Sequence, residues 1–174
     1  MTRSTTRSRA PAWAVDDAFI LSLASGAMEL PGFLERAVRW IADAVEAAAC
    51  AVFLVSEAGD ALCMAASRGM DDIGTKDLGV AMGQGLIGRV SSESRTLRFH
   101  HAEGGNPPEG LELPDPLAGK FATTVAAPIE HAEVRVGVLL ACRRSTRPFS
   151  RPHLVTIREL GIRLDMAIIM VSAA

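Results

Sequence analysis

The chain has 174 residues, 49% of them apolar and 22% charged, with a formal net charge of -2. That length suits one domain with a real core and is short for two. The near-neutral balance gives no basic field to draw nucleic acid or a lipid surface, and no apolar run approaches the ~18 residues of a membrane span.

Residues 1–13 are rich in Arg, Ser and Thr and lack acids. They read as a disordered tail in preference to an organellar targeting segment. A single domain is expected over 14–174. From Ala14 the pattern turns helical, with Val15, Phe19, Ile20, Leu23 and Ala27 at steps of three and four residues. Pro31-Gly32 breaks the chain before a second helix. Leu34, Ala37, Val38, Ile41, Val45 and Ala48 form its apolar face, and Phe33 and Trp40 lie on another side. Two apolar faces imply a partner surface beyond the core.

The period then changes. "CAVFLVS" (50–56) and "ALCMAAS" (61–67) read as paired strands around the turn "EAGD". A polar connection (68–77) follows. Next come "LGVAM" (78–82), the glycine stretch "GQGLIG" (83–88), a short helix over 86–94 and a strand over 96–99. The segment 100–120 holds four prolines and four glycines and is no regular element. A loop of that length is functional or disordered. "TTVAAPI" (123–129) and "VRVGVLLACR" (134–143) are separated by so few residues that they must pair antiparallel. Ser150 caps the last helix, Pro152 fits its first turn, and the helix runs to about Ser172. Leu154, Ile157, Gly161, Leu164, Ile168 and Val171 make one stripe on it; Val155, Ile162, Met166 and Ile169 make another. The order is α+β with an antiparallel sheet, not the alternating rhythm of a doubly wound fold.

"GQGLIG" matches the G-x-G-x-x-G spacing of a dinucleotide loop, with Glu103 about twenty residues on in place of a ribose-binding acid. The context opposes that reading. The stretch follows helices and a hairpin, opens only a short helix, and leads to a tight antiparallel pair. Gly83 and Gly85 are better read as a sharp helix entry, and Gly88 as a close approach of that helix to a strand.

"GQGLIGRVSSESRTLRF" resembles the central motif of GAF domains. "TTVAAPIEHAEVRVGVLLACRRSTRPFS" is similar to the family's carboxyl half, and "CAVFLVSEAGDALCMAASRGM" to its first hairpin. The likeness covers about residues 30–172. The "API-x-H" turn looks closest to the regulatory GAF domain at the amino end of the nitrogen-branch phosphotransferase enzyme I. The resemblance implies a GAF-like fold: a central antiparallel sheet of about five or six strands, terminal helices on one face and a ligand pocket on the other. It places Gly85, Leu86, Phe99, His100, His101, Thr123, Thr124 and Ala126 around that pocket. Backbone N–H groups at the start of the short helix would favour an anion there. His100 and His101 read either as exposed loop residues or as ligands, haem included.

Other family activities lack their residues. The Asn-Lys…Phe-x-x-x-Asp-Glu signature of cyclic-nucleotide binders is absent: Phe149 is present, but His153-Leu154 replace the acids. No cysteine lies in 100–120 for a bilin. Ile87 stands where the free methionine sulfoxide reductases carry a cysteine. Cys50, Cys63 and Cys142, an odd and widely spaced set, form neither a disulfide framework nor a zinc site and suit a reducing cytoplasm. Ser91, Ser92 and Ser94 have no histidine partner. Arg143, Arg144, Arg147 and Arg151 read as a solvated turn in preference to a phosphate site.

The expectation is a non-catalytic sensor or regulatory module that binds a small metabolite of unknown identity, uses no assigned cofactor or metal, and forms a homodimer through its terminal helices without membrane or nucleic acid. The rivals are a redox GAF enzyme using Cys63 or Cys142 and a degenerate scaffold.

Overall fold

The computed structural model describes residues 29–75, 77–101 and 105–172. The helix expected at 14–27, the tail before it and Glu103 lie outside them. Helix α1 spans Leu30–Ala44, followed by strands β1 (Ala49–Val55), β2 (Ala61–Arg68) and β3 (Gly79–Ala81). Helix α2 spans Gly85–Glu93, then come β4 (Leu97–His100), β5 (Thr123–His131), β6 (Val134–Arg143) and helix α3 (Arg151–Ser172). One sheet holds all six strands in the order β3-β2-β1-β6-β5-β4, each neighbour antiparallel.

The near-continuous apolar run of β1 follows from its central place. Both of its faces are covered, and Ala49 to Phe53 are fully buried. On one face α1 and α3 pack through Leu34, Val38, Ile41, Ile157, Leu160 and Leu164. On the other, α2 and the segment 105–122 pack through Leu86, Ile87, Val90, Leu113, Leu117 and Phe121. Pro128 stands inside β5 yet costs no ladder bond. β4 pairs only with Thr123–Ala126, so Pro128 falls past the end of β4. The β5–β6 turn places Ala132 (φ 46°) and Glu133 (φ 67°) in the left-handed region. The tight hairpin turn holds there without the usual glycine.

Two sequence expectations change. Pro31 and Gly32 do not precede the helix but sit in its first turn, where a missing N–H is harmless. Phe33 is no partner surface; it is 2% exposed in the helix-side core. The two stripes of α3 separate as expected. Ile157 and Leu164 are buried, while Val155, Ile162 and Met166 are 46%, 65% and 48% exposed.

The arginine cluster is not simply a solvated turn. Arg143 is 4% exposed. Its guanidinium donates to the carbonyls of Val45 and Glu46 at the end of α1, and to those of Arg147 and Pro148 before α3. It also lies 4.1 Å over the ring of Phe149. The carbonyls that a helix C-terminus leaves unsatisfied are thus met by one side chain from the end of β6.

Candidate functional site

The glycine stretch seats α2. Gly83 (φ 81°) turns the chain off β3, and Gly85 (φ 59°) starts the helix in a conformation L side chains avoid. The next donor, the Leu86 N–H, is taken by the Glu112 carbonyl at 3.0 Å. A Cβ on Gly85 would lie 2.5 Å from that carbonyl oxygen. The glycine therefore admits the backbone of the segment 105–122, which crosses the start of α2 as a strap. Arg89 holds the strap again through the Gly110 carbonyl at 3.3 Å. The Gly110 N–H donates in turn to the Glu112 carboxylate at 2.9 Å. The backbone N–H groups of Glu112 and Gly110 keep that carboxyl below the usual range.

Between the strap, the start of α2 and β3 lies an open cleft of about 420 Å³. Leu78, Val80 and Ile87 give it an apolar floor, and Gln84, Glu112 and Asp115 a polar rim. Among the described residues the side chains of Gln84 and Asp115 have no hydrogen-bond or ion-pair partner. The cleft can hold a small molecule on an apolar surface while offering amide and carboxylate groups to its polar end.

Of the eight residues placed at a pocket from the sequence, Gly85 lines this cleft. Leu86 and Ala126 are fully buried under α2. Phe99 is 7% exposed and stacks on His101 at 5.7 Å, and His100 is exposed on the edge strand. The Thr123 hydroxyl donates to the Ser145 carbonyl at 2.8 Å, and that of Thr124 to the Cys142 sulfur at 3.8 Å. Leu86, Phe99 and Ala126 lie in packed core, because Leu113, Leu117 and Phe121 of the strap fill the space beside them. The residues that shape the cleft, Leu78 to Ala81 and Glu112 to Pro116, were missed. Their signal was the apolar spacing Leu111, Leu113, Leu117, Phe121 within a proline-rich loop, which marks a segment that docks.

No thiol meets the cleft. Cys50 and Cys142 are buried, and burial pushes both thiols up, Cys142 to about 12. Cys63 is exposed, but Leu62 and Met64 on either side of it pack toward α2, so alternation turns Cys63 to the opposite face of the sheet. Native protein is therefore expected to titrate one thiol per chain with a chromogenic disulfide, and three after denaturation. Fast reaction of two thiols in the folded state would contradict this packing. Among the described residues no group of three His, Cys, Asp or Glu side chains is placed to hold a metal ion, and no helix is long and apolar enough to cross a membrane.

A family model for the GAF domain matches residues 29–168. Solved structures share the fold. The GAF domain of a phosphoenolpyruvate-protein phosphotransferase from Coxiella burnetii superposes with a TM-score of 0.73 at 19% identity, covering 90% of this chain and 94% of that one. The corresponding Acinetobacter domain gives 0.72 at 19% identity, with the same coverage of 90% and 94%. A free methionine-R-sulfoxide reductase from Neisseria meningitidis gives 0.68 at 16% identity, covering 95% of each chain. Identities this low speak for fold alone. No curated protein sequence matches the chain.

Proposed function

The chain belongs to the GAF domain family, and from that premise we propose that it is a non-catalytic regulatory module whose ligand sits in the cleft between β3, the start of α2 and the strap. One observation carries this reading: the strap closes over the start of α2 around an apolar-floored cleft, and the side chains of Gln84 and Asp115 at the rim have no partner among the described residues. A ligand that bridges the rim joins strap to helix and shifts the population toward the closed strap. The groups offered, two carboxylates and an amide, suit a small polar metabolite carrying a hydrogen-bond donor. The buried or averted cysteines favour sensing over sulfoxide reduction.

Met166 and Ile169, in the carboxyl-terminal half of α3, supply apolar surface for a homodimer. Light scattering at micromolar concentration is expected to give a dimer; a strict monomer would contradict that part of the proposal.

The cleft is tested by thermal shift against amino acids, 2-oxo acids, nucleotides and haem, run on the native protein and on Gln84→Ala and Asp115→Ala. A ligand present at 100 times its Kd is worth about 2.7 kcal/mol, a readily measured rise in Tm. The expected result is a rise that both variants lose. A rise that neither variant alters places the ligand elsewhere, and no rise for any class leaves a scaffold.

A further inference from the structure

We infer that a second binding surface, separate from the cleft, lies at the opposite end of the sheet, where an extended acidic segment of a partner protein adds as a strand to the outer edge of β4. β4 is the last strand of the sheet. The His101 N–H donates to the Ala122 carbonyl at 3.0 Å. In an antiparallel ladder this directs the main-chain groups of Leu97 and Phe99 toward β5 and those of Arg98 and His100 outward. Among the described residues the outward main-chain groups of Arg98 and His100 meet no further strand. A free edge of this kind is a template for another strand.

Beside that edge, a groove of about 720 Å³ runs between β4 and the amino-terminal half of α3. The register brings Arg98 from the strand and Arg151 and Arg158 from the helix to its walls, with Arg95 at one end. Arg95 is paired with Glu93 at 2.7 Å. The other three are exposed and have no carboxylate partner among the described residues. Pro128, Leu154 and Val155 give the groove an apolar floor. Three unpaired cations against one carboxylate, Glu130, leave the groove net positive in a chain of net charge -2, a local field that the composition does not reveal.

A strand edge flanked by a helix is the geometry in which extended peptides are captured. Main-chain bonds supply the pairing, and alternate side chains drop into the groove. Here those side chains meet guanidinium groups and an apolar floor, so the matching segment alternates or mixes acidic and aliphatic residues. Nucleic acid fits less well. The groove offers no aromatic side chain for base stacking.

The test uses the full chain and a short fluorescein-labelled peptide of alternating Glu and Val, read by anisotropy up to about 1 mM, the range of weak specific binding. The expected result is saturable binding weakened at least about tenfold by the Arg98→Glu/Arg158→Glu double variant. N-methylation of alternate peptide residues in one register should abolish binding, and in the other register leave it. Thermal unfolding of the double variant checks that it stays folded. Absence of binding, equal binding of an alternating Lys and Val peptide, equal binding of a single-stranded oligonucleotide, or indifference to N-methylation in both registers would each overturn the inference.

Discussion

Replacing Arg143 with alanine is expected to destabilise the protein by about 3–4 kcal/mol, the range found when one member of a buried charged network is deleted. The substitution strips donors from four backbone carbonyls at once: Val45, Glu46, Arg147 and Pro148. A buried acceptor left unmet costs about 1–3 kcal/mol; that applies in full at Val45, and water offsets part of the loss at the other three, which are only partly buried. The Phe149 ring also loses the cation stacked on it. Arg143→Lys should recover little, because a single ammonium cannot span the ends of two helices. Urea denaturation of the three proteins measures the effect, and a loss below about 1 kcal/mol for the alanine variant, the size of an ordinary surface change, would contradict it.

The same knot carries a pH dependence. Arginine can only donate, so its 3.1 Å contact with Nδ1 of His153 requires that nitrogen to be unprotonated. Burial first, and then the charge of Arg143, hold His153 below its ordinary value of 6.5. The folded state therefore prefers neutral His153, while the unfolded chain takes up a proton near 6.5. The stability that depends on neutral His153 is complete above that pH and is lost as pH falls below it. In Arg143→Ala one cause of the lowered pKa is gone, so this acid loss should shrink.

Gly88→Ala is expected to cost about 2–3 kcal/mol, in the overpacking range. Propensity alone would favour it, because alanine in a helix interior is better than glycine by about 1 kcal/mol. The overlap decides the sign. A Cβ at this position would lie 2.4 Å from the Ala81 carbonyl oxygen and 3.0 Å from the Gly83 nitrogen. Both are backbone atoms, and the Gly83 N–H also donates to the Gly88 carbonyl at 3.0 Å. The turn and the helix are clasped, so neither retreats without breaking that bond. Thermal melts of the purified variant read the outcome, and unchanged or raised stability would contradict the close packing of α2 on β3.

Gly88 also marks what the sequence made legible. Its role as a close-approach glycine followed from a short helix after a strand-like run. The strands, the two stripes of α3 and the Ser150 cap (N–H of His153 to Oγ at 3.4 Å) followed from periodicity and turn chemistry, which are local. What escaped was non-local. Arg143 reads as one of four arginines in a polar turn, and only the meeting of the end of α1 with the end of β6 buries it. Phe33 reads as an outward residue until α1 settles between two surfaces. The position of the open cleft was hidden for the same reason. Phe99, Thr124 and Ala126 do lie on the α2 side of the sheet, but the long strap carries enough leucine and phenylalanine to fill that space. The remaining opening is displaced toward β3.

The most direct measurement is amide hydrogen exchange across the strap, residues 105–122, with and without the compound that gives the largest thermal shift. Slowed exchange concentrated in the strap and the first turn of α2, and absent in Gln84→Ala, is the expected result. Slowing confined to other parts of the sheet, or an unchanged strap under saturating compound, would contradict a ligand cleft beside Gly85.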